Sequence, residues 1–357
     1  MATPFSFGFS GDDIEEDPND ASGNTANAGG SASADNGPAP IPAQTHGLDK
    51  MLSALPSRLS YSTLRLTSPR GHTARLPRRE LFDVRVQLAS EDTSASSATA
   101  PGLSTSDLQT HVYEGGYKTW ECAHDLIRFL LDRGPRKDLD DLVRVQHVVE
   151  MGCGTALPSA LLLQYAVVNG LGIGFTLTDY NADVLRLVTV PNLFLAWVGT
   201  LARTEAPFGE GNENPLAEGG DDEGDLEVTA ELVEGFRGAV RSLGIEITLV
   251  SGSWVPVEKL LDLVPSVPEL NTFILASETI YSPSSLVAFT EAMVALMKRV
   301  KTGKAIVAAK RVYFGVGGSV DGFRVECARR GCVAYEMEFE GLDEEGVRRC
   351  LMEVQMY

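Results

Sequence analysis

The run Val148-Val149-Glu150-Met151-Gly152-Cys153-Gly154-Thr155-Ala156-Leu157-Pro158 constrains the fold of this chain more than any other stretch. An apolar segment of strand character enters it, an acidic residue and two glycines follow, and a helical pattern leaves it. Glycine tolerates the backbone of a sharp strand-to-helix turn and lets a ligand approach the main chain. A dinucleotide fingerprint needs a third glycine three residues after Gly154, and Leu157 stands there instead. The turn is therefore either a tight corner of an ordinary α/β domain or the cradle of another ligand, one whose cationic end Glu150 can counter.

The flanking pattern extends this reading. Strands are expected at 146–151, 174–179, 246–251, 272–277 and 304–310, and helices at 120–133, 157–169, 181–198, 283–300 and 320–330. Such alternation predicts a doubly wound, mostly parallel α/β sheet. The chain ends differently: segments 332–339 and 349–356 are joined by a short link, whereas a parallel crossover needs a dozen or more residues. An antiparallel hairpin is expected there. Segments 58–67 and 80–89 alternate as strands do, and 90–107 reads as a Ser/Thr/Ala linker. Three regions are expected: a disordered acidic tail at 1–55, an extension with short strands and a linker at 56–110, and the main domain at 111–357, interrupted by a polar insertion at about 200–235.

Charge is unevenly placed along the 357 residues, whose net charge is −19. Residues 1–50 carry eight acids and one base, and residues 205–234 carry eleven acids and none; the remainder is nearly neutral. Such acidic segments are either solvated and disordered or a docking surface for a basic partner. No basic face stands out, which argues against direct nucleic-acid binding. No apolar run reaches the 18 or so residues of a membrane span. The first ten residues lack the basic and apolar regions of a signal peptide. The five cysteines contain no CxxC pair, and the histidines (His111, His124 and His147 among them) have no ligand spacing, so neither a disulfide framework nor a metal site is expected. A reducing compartment, cytoplasm or nucleus, follows as the expectation.

In sheets of this kind ligands sit at the carboxyl ends of the strands. The first such end is Glu150 to Gly154, with Gly152 and Cys153 between. The second is Asp179-Tyr180-Asn181, where an acid can accept both hydroxyls of a ribose or cap the next helix. The third is Gly252-Ser253-Trp254; the indole covers a flat ring or fills the core. The fourth, Ser277-Glu278-Thr279-Ile280-Tyr281, forms the lip where an acceptor would meet the ligand, unless Glu278 caps the following helix. Ahead of the domain, Gly115-Gly116 breaks the chain before Lys118-Thr119-Trp120-Glu121-Cys122, which opens a helix. After the fifth strand comes an aromatic, glycine-rich loop, Lys310 to Gly318, containing Tyr313. The E-x-G-x-G turn and the terminal hairpin together favour S-adenosylmethionine over a nicotinamide dinucleotide.

Taken together, these motifs resemble the eukaryotic, fungal-type histidine protein methyltransferases of the seven-strand class, which methylate a histidine of the large-subunit ribosomal protein L-three. The resemblance covers about 111–357. It rests on Glu114-Gly115-Gly116 with Lys118 to Cys122, on the Glu150 to Pro158 turn, on Asp179 to Asn181, Pro191-Asn192, Gly252 to Trp254, Ser277 to Tyr281, and Tyr313 to Gly318. It implies a seven-stranded class I methyltransferase sheet and S-adenosylmethionine held by Lys118, Thr119, Trp120, Glu121, Cys122, Gly152, Asp179, Tyr180, Asn181, Gly252, Ser253, Trp254 and Ser277. The implied reaction is methylation of the tele nitrogen of a histidine, by a monomer, with a basic ribosomal protein as partner. On the substrate side Glu278, Tyr281 and Tyr313 are the candidates. Two other readings share these features: a related protein-lysine methyltransferase, and a binding factor for a basic ribosomal protein that uses the acidic segments.

Overall fold

The computed structural model describes residues 40–91, 116–132, 145–342 and 347–357. Expectations for residues 1–39, for 92–107 of the linker and for Glu114-Gly115 fall outside them. Strand β1 (Gln44–His46) and helix α1 (Leu48–Ser53) precede two antiparallel strands, β2 (Arg58–Thr67) and β3 (Thr73–Arg79), and helix α2 (Leu81–Glu91). Helix α3 (Glu121–Asp132) leads into β4 (His147–Met151), α4 (Leu157–Asn169) and β5 (Gly174–Asp179). The helical run α5 follows at 182–198, then β6 (Glu223–Glu227), α6 (Ala230–Ser242) and β7 (Glu246–Ser251). The remainder comprises α7 (Val257–Leu263), β8 (Thr272–Ser277), α8 (Pro283–Lys298), β9 (Gly303–Lys310), α9 (Val320–Arg329), β10 (Cys332–Met337) and β11 (Arg349–Met356).

Strands buried on both faces lose the in–out alternation of a half-exposed sheet, and β4, with every residue buried, shows this most plainly. The main sheet has the order β1-β7-β5-β4-β8-β9-β11-β10. Strands β7, β5, β4, β8 and β9 are mutually parallel. Strand β11 lies antiparallel between β9 and β10, which realises the expected terminal hairpin. From β4 the chain moves outward through β5 to β7, then returns to β8 on the other side of β4. That reversal is the switch point at which open α/β sheets bind ligands. One apolar face of the sheet is covered by α3, α4, α5 and α6 through residues such as Leu126, Leu163, Phe194 and Phe236. The other is covered by α7, α8 and α9, with Leu260, Phe289, Met293 and Phe323 in the layer.

Four expectations are corrected. The sheet has eight strands rather than seven, because Gln44–His46, expected within the tail, pairs antiparallel with β7. Segment 80–89 is helical, not extended. Its Val84 is fully buried, with Leu81 and Leu88 packed beside it against Val184 and Leu187, while Phe82 and Val86 face solvent. The actual partner of β2 is β3, with Leu64 opposite Leu76. The acidic segment is ordered rather than simply solvated. Its β6 pairs with β2 to make a second sheet of order β3-β2-β6. Arg65 binds Asp222, and the Arg75 guanidinium donates to the carbonyls of Leu216, Ala217, Gly220 and Asp221. Finally, the helix expected at 181–198 contains a π-helical turn, Leu185–Thr189, just ahead of Pro191, whose ring nitrogen has no hydrogen to donate. Among the described residues no helix is long and apolar enough to cross a membrane.

Helix α3, which opens at the future site, is tied to the last strand by a buried ion pair. Arg349 Nε lies 2.5 Å from Asp125 Oδ2, with the side chains 8% and 2% exposed. Withdrawing one charge of such a pair costs about 3–5 kcal/mol, whereas apolar replacement of both is far milder. Equilibrium urea unfolding should therefore show a loss of about that size for Arg349→Met. The double variant Asp125→Leu/Arg349→Met should regain more than half of it.

Candidate active site

A cleft of about 530 Å³ opens over the carboxyl ends of β4, β5, β7, β8 and β9. Its floor is the glycine turn. Gly152 and Gly154 both adopt positive φ, +67° and +49°. A Cβ on Gly152 would stand 2.9 Å from the Thr279 methyl, and one on Gly154 would stand 3.2 Å from the Gly116 backbone, so neither position accepts a side chain without movement. The turn is pinned from four directions. Cys153 N–H donates to the Thr178 carbonyl (2.8 Å) and Gly154 N–H to Asp179 Oδ2 (2.9 Å). Thr189 Oγ1 donates to the Gly154 carbonyl (2.6 Å) and Asn192 Nδ2 to the Thr155 carbonyl (2.8 Å). Thr189 of the π-turn and Asn192 thus serve the glycine turn, a role that helical periodicity alone does not disclose.

Glu150 does not line the cleft. Its carboxylate turns into the interior, where it accepts hydrogen bonds from Ser159 N–H (3.0 Å) and from the Ser159 hydroxyl at the start of α4. Asp179 does line it, and its Oδ1 also accepts from Asn181 N–H (3.2 Å). Asn181 itself lies outside the wall, immediately ahead of α5. Tyr180 lines the cleft, and its hydroxyl accepts from Ile41 N–H (3.1 Å). The segment ahead of β1 therefore closes one end, with Pro40 in the wall and Ser253 N–H donating to the Ile41 carbonyl (2.8 Å). Gly252 lines the cleft too, but its missing Cβ leaves room for the Pro42 carbonyl, only 2.4 Å from where that carbon would lie. Trp254 donates from Nε1 to Thr178 Oγ1 (3.1 Å) and meets Phe289 edge-on, so one indole serves both wall and core.

The opposite end gathers Lys118, Trp120, Ser277, Glu278, Tyr281, Lys310 and Tyr313. Glu278 has φ +58°, a left-handed backbone rare outside glycine. Its side chain is 7% exposed, and neither carboxylate oxygen receives a hydrogen bond. Lys310 Nζ stands 3.4 Å from Glu278 Oε1, 3.1 Å from Glu121 Oε2 and 5.0 Å from the centre of the Trp120 ring. Tyr313 accepts from Lys310 N–H (3.2 Å); burial, and then the Glu278 charge, push its phenol well above the ordinary range. The same two causes raise the Cys122 thiol, which is buried behind the wall. Thr119 is also outside the lining, with its hydroxyl 3.1 Å from that of Thr155. Glu121 reaches the cleft only through Lys310. The loop after β9 is folded back by Tyr313 N–H to the Gly318 carbonyl and Gly318 N–H to the Tyr281 carbonyl, both 2.9 Å. It leaves Phe314, 83% exposed, at the rim.

Sequence reasoning singled out the loop beginning at Lys310 but not Lys310 itself as a site residue. Its signal was positional: β8 and β9 run parallel with Ser277 opposite Ala308, which sets Lys310 beside Glu278. Pro40 was not named as a site residue, because only the folded chain brings it to the wall; Gly116 and Thr279 stood within segments that were named but were not themselves singled out. No group of three or more His, Cys, Asp or Glu side chains is arranged to hold a metal among the described residues.

Burial pushes the Glu150 carboxyl up to about 7, against the pull of the Ser159 hydrogen bonds and with the Asp179 charge adding to the rise. The unfolded chain releases this proton nearer 4.5. The stabilisation from holding the proton is therefore complete below that value and is lost as pH rises through 7. Glu150→Gln stays neutral, so its stability relative to the parent should climb between pH 5 and 8, by up to about 3 kcal/mol. Chemical denaturation across that range measures it; a difference independent of pH would contradict the assignment.

No family model matches the chain. Histidine protein methyltransferase 1 of Saccharomyces cerevisiae is 38% identical over 264 residues, 70% of this chain and 67% of that protein. Its Schizosaccharomyces pombe namesake is 33% identical over 323 residues, 90% and 84% of the two chains. Among solved structures a DhpI-SAH complex, 11% identical, covers 77% of this chain and 94% of its own with a TM-score of 0.32, too remote to carry an argument. With a glycine-floored cleft at the switch point of its sheet and these two relatives matched over most of their length, the chain belongs to the histidine protein methyltransferase 1 family.

Proposed function

We propose that this protein transfers a methyl group from S-adenosylmethionine to the tele nitrogen, Nε2, of a histidine in the large-subunit ribosomal protein L-three. The observation that carries this reading is Glu278. A buried carboxylate in the cleft wall that faces an ammonium at 3.4 Å and makes no hydrogen bond through either oxygen keeps acceptor capacity for a group bound in the cleft. An imidazole Nδ1–H is such a group.

The chain's own residues fit the methyl donor. Asp179 ends β5 with its carboxylate in the wall, where it can accept ribose hydroxyls, as acids do at this position of nucleotide-binding sheets. Gly152 and Gly154 bare the backbone of the floor, Trp254 and Tyr180 supply flat apolar surface, and Lys118, Trp120 and Ser277 complete the wall. S-adenosylmethionine supplies, when bound, a methyl group already activated on a sulfonium. The protein's task is then alignment more than activation.

An imidazole ordinarily loses its proton at about pH 6.5, so the neutral ring offers a lone pair at physiological pH. Attack through Nε2 requires the remaining proton to sit on Nδ1, and a hydrogen bond to Glu278 selects that tautomer. The Nε2 lone pair forms the new N–C bond, the C–S pair stays with sulfur as S-adenosylhomocysteine, and the positive charge passes to the ring. Glu278 stabilises that charge and takes the Nδ1 proton or yields it to water. Tyr281 and Tyr313 shape the space around the ring. A lysine acceptor would instead have to shed a proton that an ordinary ammonium holds up to about pH 10.4, and among the described residues lining the cleft there is no histidine to take it.

The first test is product analysis. Purified protein, methyl-labelled S-adenosylmethionine and a lysate from cells lacking the enzyme should place label in tele-methylhistidine of one basic ribosomal protein; label in methyllysine would overturn the reading. Glu278→Gln should lower kcat by about 100-fold, as loss of a charge-stabilising group does, with donor affinity changed less than about twofold. Asp179→Ala should do the reverse, weakening S-adenosylmethionine binding at least about tenfold by calorimetry, the worth of a charge-assisted hydrogen bond.

A further inference from the structure

The loop after β9 carries a surface that the methyl-transfer chemistry does not use. Among the described residues, four exposed apolar side chains, Val312, Phe314, Val316 and Val347, line the same cleft. Single apolar side chains on a surface are ordinary, but several gathered at one mouth mark a place where something binds. Their position is on the acceptor side. Val312 and Phe314 flank Tyr313 in the chain, and Tyr313 is buried in the wall beside Glu278. An acceptor group that reaches Tyr281 and Tyr313 therefore brings the chain on either side of it past this rim.

The rim has a fixed shape. Gly317 N–H donates to the Tyr313 carbonyl (3.0 Å), and Val312 bridges to Ser319 across the loop. A Cβ on Gly318 would stand 2.0 Å from the Ile280 carbonyl, so the loop sits directly on the lip after β8. Arg311 N–H donates to the Arg348 carbonyl (2.9 Å), which brings Val347, just ahead of β11, to the same mouth. The two cations leading into the loop already face carboxylates: Lys310 those of Glu121 and Glu278, and Arg311 that of Glu336. What remains for a partner is apolar area, which suits an apolar side chain and not a charged one. A protein methyltransferase must admit a segment of its acceptor protein to this cleft, and the rim is continuous with the cleft wall. We infer that Phe314, with Val312, Val316 and Val347, forms a docking rim that takes an apolar side chain of the acceptor protein, a few residues from the methylated histidine. This rests on the methyl-transfer reading above.

The experiment uses the full chain, S-adenosylmethionine and unmethylated L-three purified from cells lacking the enzyme. Phe314→Ser should raise KM for L-three at least about tenfold, the worth of a buried aromatic anchor, with kcat within about twofold of the parent. Its thermal unfolding midpoint and its affinity for S-adenosylmethionine should stay at the parental values, since an exposed side chain supports no core. Phe314→Leu, which keeps an apolar side chain, should recover KM to within about threefold of the parent. In L-three, each apolar residue within about five positions of the acceptor, the ~17 Å that an extended chain of that length spans, is replaced in turn by serine. One replacement should reproduce the rise in KM, and pairing it with Phe314→Ser should add less than about twofold more, because both remove the same contact. A parental KM in Phe314→Ser, or losses that multiply fully in every pairing, overturns the inference. So does a fall in KM, as uncovering by another segment of this chain would give, or a dimer of the parent that Phe314→Ser dissolves. If L-three takes up no methyl from the parent, the proposed function fails and this inference with it. If L-three is methylated and Phe314→Ser keeps the parental KM, only the inference fails.

Discussion

The site depends on one constraint: the parallel strands end level with one another. Met151 lies opposite both Thr178 and Ala276, Asp179 opposite Ser251, and Ser277 opposite Ala308. Four loops therefore meet over one floor. Strands that are apolar on both faces specify their register weakly by pattern, since a one-residue slip merely exchanges one apolar face for another. Here the register is fixed by what lies beyond the strand ends. The bonds from Cys153 N–H to Thr178 and from Gly154 N–H to Asp179 can form only when β4 and β5 finish together. The same contacts that shape the floor thus hold the sheet in register.

Three carboxylates lie in or under the cleft, and each is managed differently. Asp179 accepts backbone N–H groups from Gly154 and Asn181. Glu278 faces an ammonium across a gap. Glu150 is fully enclosed and resists ionisation, and Ser159 ties it to the start of α4. Backbone donors, a counter-ion and burial are three separate answers to the cost of placing negative charge where water is scarce.

Much of the fold was legible in the chain, and the failures have identifiable physics. The parallel strands and their helices could be read because hydrophobic periodicity and glycine turns are local signals. Segment 81–88 carries both periods at once: Leu81, Val84 and Leu88 form a helical stripe, while Leu81, Asp83, Arg85 and Gln87 alternate with Phe82, Val84, Val86 and Leu88 as a strand would. Packing of Val84 against Val184 and Leu187 decided between them. The acidic stretch looked solvated because its counter-charges, Arg58, Arg65 and Arg75, lie some 150 residues earlier and meet it only in the folded chain. Strand β1 is three residues long, too short for any pattern. Within the site, Asp179, Gly152, Gly154, Trp254 and Glu278 stood at strand ends and could be anticipated. Glu150 was expected to face the ligand, but residues alternate in direction along a strand, and the strand's last turn sent it inward. Lys310 could not be assigned because its place beside Glu278 is set only by the pairing of β8 with β9.

The left-handed backbone at Glu278 has a consequence of its own. A residue with a Cβ costs roughly 1 kcal/mol or more in this conformation, and glycine adopts it freely. Replacing Glu278 with glycine would relieve that strain but take from the Lys310 ammonium one of its two carboxylate partners, Glu121 being the other. A glutamate held there, against the preference of the backbone, is the kind of strain that clusters at functional sites.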